Sequence, residues 1–123
     1  MIAFGDVHGD YEALHRLLSF AEVIDGDDRW IAGSKHLVSV GDLLDRGPDS
    51  RRVMDLLMGL ETQAQAAGGP VHVLIGNHEQ MNLTGDLRYV AKEEFAAFAG
   101  PRMTPYARPP PLPLGRKVSA TRW

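Results

Sequence analysis

The 123-residue sequence contains no cysteine. That excludes disulfides and thiolate metal sites and leaves the redox compartment open. Any metal must be held by Asp, Glu, His, Asn or water. No run of 18 or more apolar residues occurs, so no membrane span is predicted. The opening run Met1-Ile2-Ala3-Phe4 is too short for the core of an export signal, so a cytoplasmic location is expected. Acid is missing from the last stretch. Residues 1–100 hold all 16 Asp and Glu with 8 of the 13 Lys and Arg, whereas residues 101–123 hold 5 basic residues and no acid. A basic tail on an acidic body can touch nucleic acid or an acidic surface. Its composition favours the plainer reading of a solvated, unstructured tail, and no nucleic-acid partner is expected.

The remaining composition is that of a soluble globular protein, and the length suffices for one small domain with a real core. Met1 to Phe4 reads as a short buried strand. Asp10 is a plausible N-cap, and Leu14, Leu17, Leu18 and Ala21 form one helical face that should fade near Ile24. The acidic run Asp25-Gly26-Asp27-Asp28 is turn chemistry; it lacks the spacing of a calcium loop. His36 to Val40 reads as a second strand. Pro48 suits the first turn of a second helix, whose stripe is Val53, Leu56, Leu57, Leu60 and Ala64 and whose stop is Gly68-Gly69. Val71 to Ile75 is a third strand, apolar enough to suggest cover on both faces. Residues 80–90 are mixed. Glu93 to Ala99 has a short helical pattern with Phe95, Phe98 and Ala99 as its apolar side. From Gly100 periodicity disappears, and residues 101–123 hold six of the eight prolines. The expected organisation is a folded unit over 1–100 and a proline-rich basic tail over 101–123, disordered with local polyproline II.

Strand–helix–strand–helix–strand with short connections predicts an α/β fold with right-handed crossovers and a parallel sheet. Ligands in such sheets collect beyond the carboxyl ends of the strands. Three polar loops sit at those ends: Gly5-Asp6-Val7-His8-Gly9-Asp10, Gly41-Asp42-Leu43-Leu44-Asp45-Arg46-Gly47-Pro48, and Gly76-Asn77-His78-Glu79. Asp6 and His8, two apart on an extended segment, can point the same way. With Asp42 and Asn77 they offer carboxylate, imidazole and amide oxygen, a set suited to Mn, Fe or Zn. Asp42 can bridge two metals that together activate a water and clamp a phosphate oxygen. Arg46 supplies a planar fork for phosphate. His78 can protonate a leaving alkoxide while Asp45 accepts its other ring N–H. Each feature alone has a bland explanation: a chance Asp-x-His, a surface ion pair, a turn. Their occurrence together, in order, after three apolar runs, is what favours a site. His15, His36 and His72 lie on helix or strand positions away from the loops; His15 reads as a solvent-facing helix residue and His72 as structural.

The blocks GDVHGD, GDLLDRGPDS and GNHE resemble the calcineurin-like metallophosphoesterases, closest to the phosphoprotein phosphatase group. The wording GNHEQMNLTGDLRYV with Glu93-Glu94-Phe95 looks most like the Shewanella-like branch of that group. The resemblance covers roughly residues 1–99. It implies the βαβαβ half of an α/β/β/α sandwich with the second sheet largely missing. It implies two divalent metal ions, the first on Asp6 and His8, Asp42 bridging, and Asn77 on the second. It further implies His78 as general acid, Asp45 as its partner and Arg46 as phosphate clamp. The family's reaction is attack of metal-activated hydroxide on a phosphomonoester, with a phosphoprotein of the serine/threonine type as the expected substrate.

Departures from the family pattern sharpen this reading. Dinucleoside-polyphosphate hydrolases share the architecture but usually carry Asp where Glu79 stands; they are the alternative enzyme. Eukaryotic-type phosphatases usually have Gln at Asp10, an aromatic at Leu44 and Arg at Ile75. The family also uses two later histidines and a second arginine, whereas His78 is the last histidine of this sequence. The change near Gly100 is therefore expected to mark truncation or a reading-frame change. A non-catalytic remnant that binds metal or phosphate is the remaining alternative. An apolar sheet face normally covered by the second sheet is expected to lie bare and to invite self-association.

Overall fold

The structure, a computed structural model, describes residues 1–99. The proline-rich tail expected over 101–123 lies outside the described residues. Three short strands, β1 (Ile2–Phe4), β2 (Leu37–Ser39) and β3 (Val71–Val73), form a parallel sheet in the order β1-β2-β3. The register sets Ile2 beside Leu37 and Val71, and Phe4 beside Ser39 and Val73. Helix α1 (Tyr11–Phe20) joins the first pair of strands and α2 (Ser50–Ala66) the second. Two more helices follow, α3 (Asn77–Thr84) and α4 (Lys92–Phe98).

A sheet that grows in sequence order without reversal puts like-handed crossovers on one face. Accordingly α1 and α2 pack side by side on the face that carries Phe4, Leu37 and Ser39. Leu14 and Leu18 of α1, and Val53, Leu57 and Leu60 of α2, fill the core with Val23, Ile24 and Leu43. Leu17, on the edge of the α1 stripe, stays 44% exposed. Asp10 caps α1 by accepting the Ala13 N–H at 2.9 Å. The helix stops at Phe20, earlier than Ile24. Asp25 Oδ1 then accepts the N–H groups of Asp27 and Arg29, which makes the acidic run a side-chain-stabilised turn.

The other sheet face differs from expectation. β3 is not covered on both sides: His72 and Leu74 are exposed, as is Val40 beyond β2. His36 and His72 stack there, with ring centroids 5.7 Å apart. Nothing among the described residues packs over this face, because both crossover helices took the opposite one. The strands are also shorter than their apolar runs. Gly5-Asp6 and Gly41-Asp42 break the ladder to form the loops, with Gly41 at φ 99° and Asp6 and Asp42 at φ 55°.

Residues 77–79, read as part of the third polar loop, and 80–84, read as mixed, together form α3. Its start has no apolar stripe to betray it; the helix is closed by Gly85 at φ 83°. In α4 the buried residue is Glu94, not the phenylalanines, since Phe95 and Phe98 face outward.

Candidate metal and phosphate site

All three polar loops meet beyond the carboxyl ends of the strands. Among the described residues seven non-glycines have positive φ, and five of them are Asp6, His8, Asp42, Asp45 and Arg46. Left-handed backbone at a residue with a Cβ costs about 1–3 kcal/mol and persists only where surroundings over-determine it. Here a backbone ladder does so. His8 N–H donates to Asp42 O at 2.9 Å, Gly9 N–H to Leu43 O at 2.8 Å, Gly47 N–H to His8 O at 2.9 Å, and Asp49 N–H to Gly9 O at 3.1 Å. The approach is too close for any Cβ at position 47, which would lie 2.6 Å from the carbonyl oxygens of both His8 and Gly9.

Within this frame Asp6, His8 and Asp42 each bring one ligand atom to within 4.8 Å of the others. No other trio of His, Asp or Glu side chains does so among the described residues. His8 Nδ1 lies 3.2 Å from Leu44 O. A proton on Nδ1 makes that contact a hydrogen bond and leaves the Nε2 lone pair free for a cation. Asn77 lies against Asp42, the nearer end of its amide 2.9 Å from Oδ2 and 3.3 Å from Oδ1. With its nitrogen on that side the amide donates to the carboxylate; the opposite orientation would offer its oxygen to a cation. The donor set of two carboxylates, an imidazole and an amide oxygen fits Mn, Fe or Zn.

His78 sits at the second position of α3, its side chain buried with that of Asp45. Nδ1 and Asp45 Oδ2 are 2.7 Å apart, and the other carboxylate oxygen accepts the Asn82 amide N–H at 2.8 Å. The backbone N–H of His78 donates to Asp42 Oδ1 at 2.9 Å, tying the pair to a carboxylate of the Asp6–His8–Asp42 trio. A guanidinium nitrogen of Arg46 lies 3.4 Å from His78 Nε2. The rings of His8 and His78 meet edge to face at 4.7 Å. Tyr89 completes this rim: its ring centroid is 5.3 Å from that of His78, and its carbonyl accepts the Arg46 N–H at 2.8 Å. Thus the seven residues singled out by sequence lie in one connected group. His15 lies elsewhere, 3.0 Å from Asp28.

Two carboxylates that organise the group were not singled out. Glu79 accepts four backbone N–H groups: Asp42 at 2.7 Å and Gly76 at 2.8 Å through Oε2, and Leu43 at 2.8 Å and Leu44 at 3.1 Å through Oε1. Its reach back to Gly76 is half of a capping box, so a Glu three residues past a glycine helix start was a readable signal. Glu94 is 3% exposed and accepts the Ser50 N–H at 2.8 Å. Burial pushes its carboxyl above the ordinary value of 4.5, against the pull of the hydrogen bonds from Ser50; the charges of Asp49 and Asp45 add a smaller push upward. Nothing in the local sequence pairs it with residue 50.

The calcineurin-like phosphoesterase family model matches residues 1–120. The chain belongs to that family. Over 102 residues it is 44% identical to Shewanella-like protein phosphatase 2 of Arabidopsis thaliana, covering 80% of this chain and 26% of that protein. A crystal structure of a cold-active protein-tyrosine phosphatase from a psychrophilic Shewanella superposes with a TM-score of 0.74 at 47% identity, over 77% of this chain and 29% of that one. A symmetrical bis(5'-nucleosyl)-tetraphosphatase of Legionella pneumophila is 33% identical over 78 residues, 63% of this chain and 23% of that protein. The chain therefore spans about a quarter of the length of these curated relatives. No described helix is long and apolar enough to cross a membrane.

Proposed function

We propose that the chain carries the metal- and phosphate-binding loops of a metal-dependent phosphomonoesterase whose substrate is a phosphoprotein. The observation that carries this reading is the convergence of Asp6, His8 and Asp42 within 4.8 Å, linked through Asp42 to the buried His78–Asp45 pair. Asp6, His8 and Asp42 would hold one divalent cation, and Asp42 and Asn77 would offer two donors to a second. When bound, such cations activate the attacking water and neutralise phosphate charge. Asp45 accepts the Nδ1 N–H of His78, so Nε2 is the atom that, once the ring takes up a second proton from water, can pass it to the leaving oxygen. Arg46, beside that nitrogen, orients the phosphate. The names of the relatives support a phosphoprotein substrate. The Tyr89 ring beside His78 makes an aryl phosphate the first substrate to try, ahead of the serine and threonine esters that the sequence suggested.

The test is manganese-dependent hydrolysis of 4-nitrophenyl phosphate by the 123-residue chain, with Asp42→Asn and His78→Asn as controls. Turnover that both substitutions abolish is the expected result. Turnover equal in all three chains refutes the site. No turnover, with manganese still bound by the parent and lost in Asp42→Asn, makes the chain a binding remnant. The tetraphosphatase relative supports a second reading, a dinucleoside-polyphosphate hydrolase. Cleavage of diadenosine tetraphosphate faster than phosphopeptides would favour it. The bare sheet face around Val40, His72 and Leu74 is expected to make the chain self-associate, which sedimentation velocity reads directly.

A further inference from the structure

The loop that carries Arg46 is held from two sides. The loop after β1 grips it through His8 and Gly9, as described above. The segment after α3 grips the loop and the start of α2 behind it through three further bonds. Arg46 N–H donates to Tyr89 O at 2.8 Å, Ser50 N–H to Glu94 Oε1 at 2.8 Å, and the Arg51 guanidinium to Ala97 O at 2.6 Å. Helix α2 begins directly after this loop, and its own N-cap residue does not cap it. The Asp49 carboxylate accepts no backbone N–H of the first turn and instead faces the Arg52 guanidinium at 3.5 Å. A helix start needs an acceptor for its free N–H groups, and an anion there also meets the favourable end of the helix dipole. Glu94, 44 residues further along the chain, is that acceptor.

We propose that Glu94 is a positioning residue for Arg46: by capping α2 from α4 it fixes the loop that presents the guanidinium to phosphate, without touching phosphate itself. The inference rests on the phosphate role of Arg46 given above. Three features make Glu94 the effective link rather than one contact among many. It is the one buried charged residue of α4. The residue it caps lies four positions from Arg46, across a stretch otherwise held by backbone hydrogen bonds and by two longer side-chain contacts, Arg46 with His78 at 3.4 Å and Asp49 with Arg52 at 3.5 Å. And Arg46 sits at φ 66°, a conformation that relaxes once its anchors loosen.

Two readouts test this, one independent of any phosphate chemistry. The first is amide hydrogen exchange at Arg46 and Gly47 by NMR in the metal-free chain. The second is the affinity of the manganese-loaded chain for inorganic phosphate. In Glu94→Ala, exchange at both amides should rise, and phosphate affinity should fall, by about five- to tenfold, the effect of losing one helix cap. Manganese affinity should stay within about twofold, because Asp6, His8 and Asp42 are anchored by the other loop and by Glu79. Glu94→Gln keeps an acceptor oxygen and should restore both readouts. If Glu94→Ala does not fold, Glu94→Asp replaces it: one methylene shorter, it should raise Arg46 exchange where Glu94→Gln does not. Unchanged Arg46 exchange in the Ala or Asp variant overturns the proposal, as does failure of Gln to restore it. If the parent chain binds no phosphate, the phosphate role of Arg46 fails, and the exchange readout still decides whether Glu94 positions it.

Discussion

Removing Glu79 should both unfold the chain more easily and weaken manganese binding at the candidate site. One carboxylate accepts four backbone N–H groups, those of Asp42, Leu43, Leu44 and Gly76. Three belong to the loop after β2 and one to the start of α3, so the carboxylate joins two of the three site loops. In Glu79→Ala all four donors lose their partner at once. The side chain is only partly buried, so water reaches some of them, and about 1 kcal/mol per N–H is a fair net cost. The sum is about 4 kcal/mol, a large share of the roughly 5–15 kcal/mol that holds a domain together. With a urea dependence of about 1.5 kcal/mol per molar, the midpoint should fall by about 2–3 M. Glu79→Asp, one methylene shorter, should fall between the parent and Ala. Glu79→Gln should not rescue, because its NH₂ must face two donors. Manganese affinity, read by calorimetry, should drop by about 10- to 100-fold in the Ala variant, as for other residues that orient a metal ligand. A midpoint within about 0.5 M of the parent would show that water replaces the carboxylate freely. The account of loop organisation would then be wrong.

Three other perturbations test separate parts of the structure. Gly76→Ala drives a Cβ onto Asp42, whose backbone nitrogen lies 2.5 Å from the position it would take. It should cost about 1–3 kcal/mol and weaken manganese binding, both checked in one titration series. Leu60→Ala empties a fully buried position in α2 far from the loops. It should cost about 2–5 kcal/mol by urea denaturation and leave manganese affinity unchanged in the folded fraction. Glu94 gives a pH signature. Its folded pKa lies above the ordinary 4.5, so the folded state binds the extra proton. Its contribution to stability is therefore full below about 4.5 and is lost as pH rises through the raised value. Denaturation across pH 4–8 should show that decline in the parent and not in Glu94→Gln; identical profiles would refute the assignment.

Much of the fold was legible because it rests on short-range regularities. The stripes of α1 and α2, the Asp10 cap and the Gly68 stop are periodicity and capping, readable within a few residues. The seven candidate side chains were legible for a similar reason: each follows a strand end and is marked by a glycine. What escaped has a common cause. Helix α3 has no apolar stripe, since its residues are spent on the loops it joins. The apolar run of β3 suggested cover on both faces, but a run of apolar letters does not say where the helices go; the unreversed strand order placed both on one side.

The amino-acid sequence by itself determined the order of the three strands and of their two crossover helices, the chemistry available at each strand end, and the absence of thiolate from this chain's sites. Tertiary structure alone decided which backbone groups those side chains serve. Glu79 holds a loop 35 to 37 residues earlier, and Glu94 caps a helix 44 residues earlier. Neither partnership has a local signature, because a carboxylate is chemically the same whether it meets water or a distant N–H. Left-handed backbone at Asp6, His8, Asp42, Asp45 and Arg46 is likewise a collective outcome. No one of these residues favours that conformation enough to adopt it alone, and the interlocked loops impose it on all five.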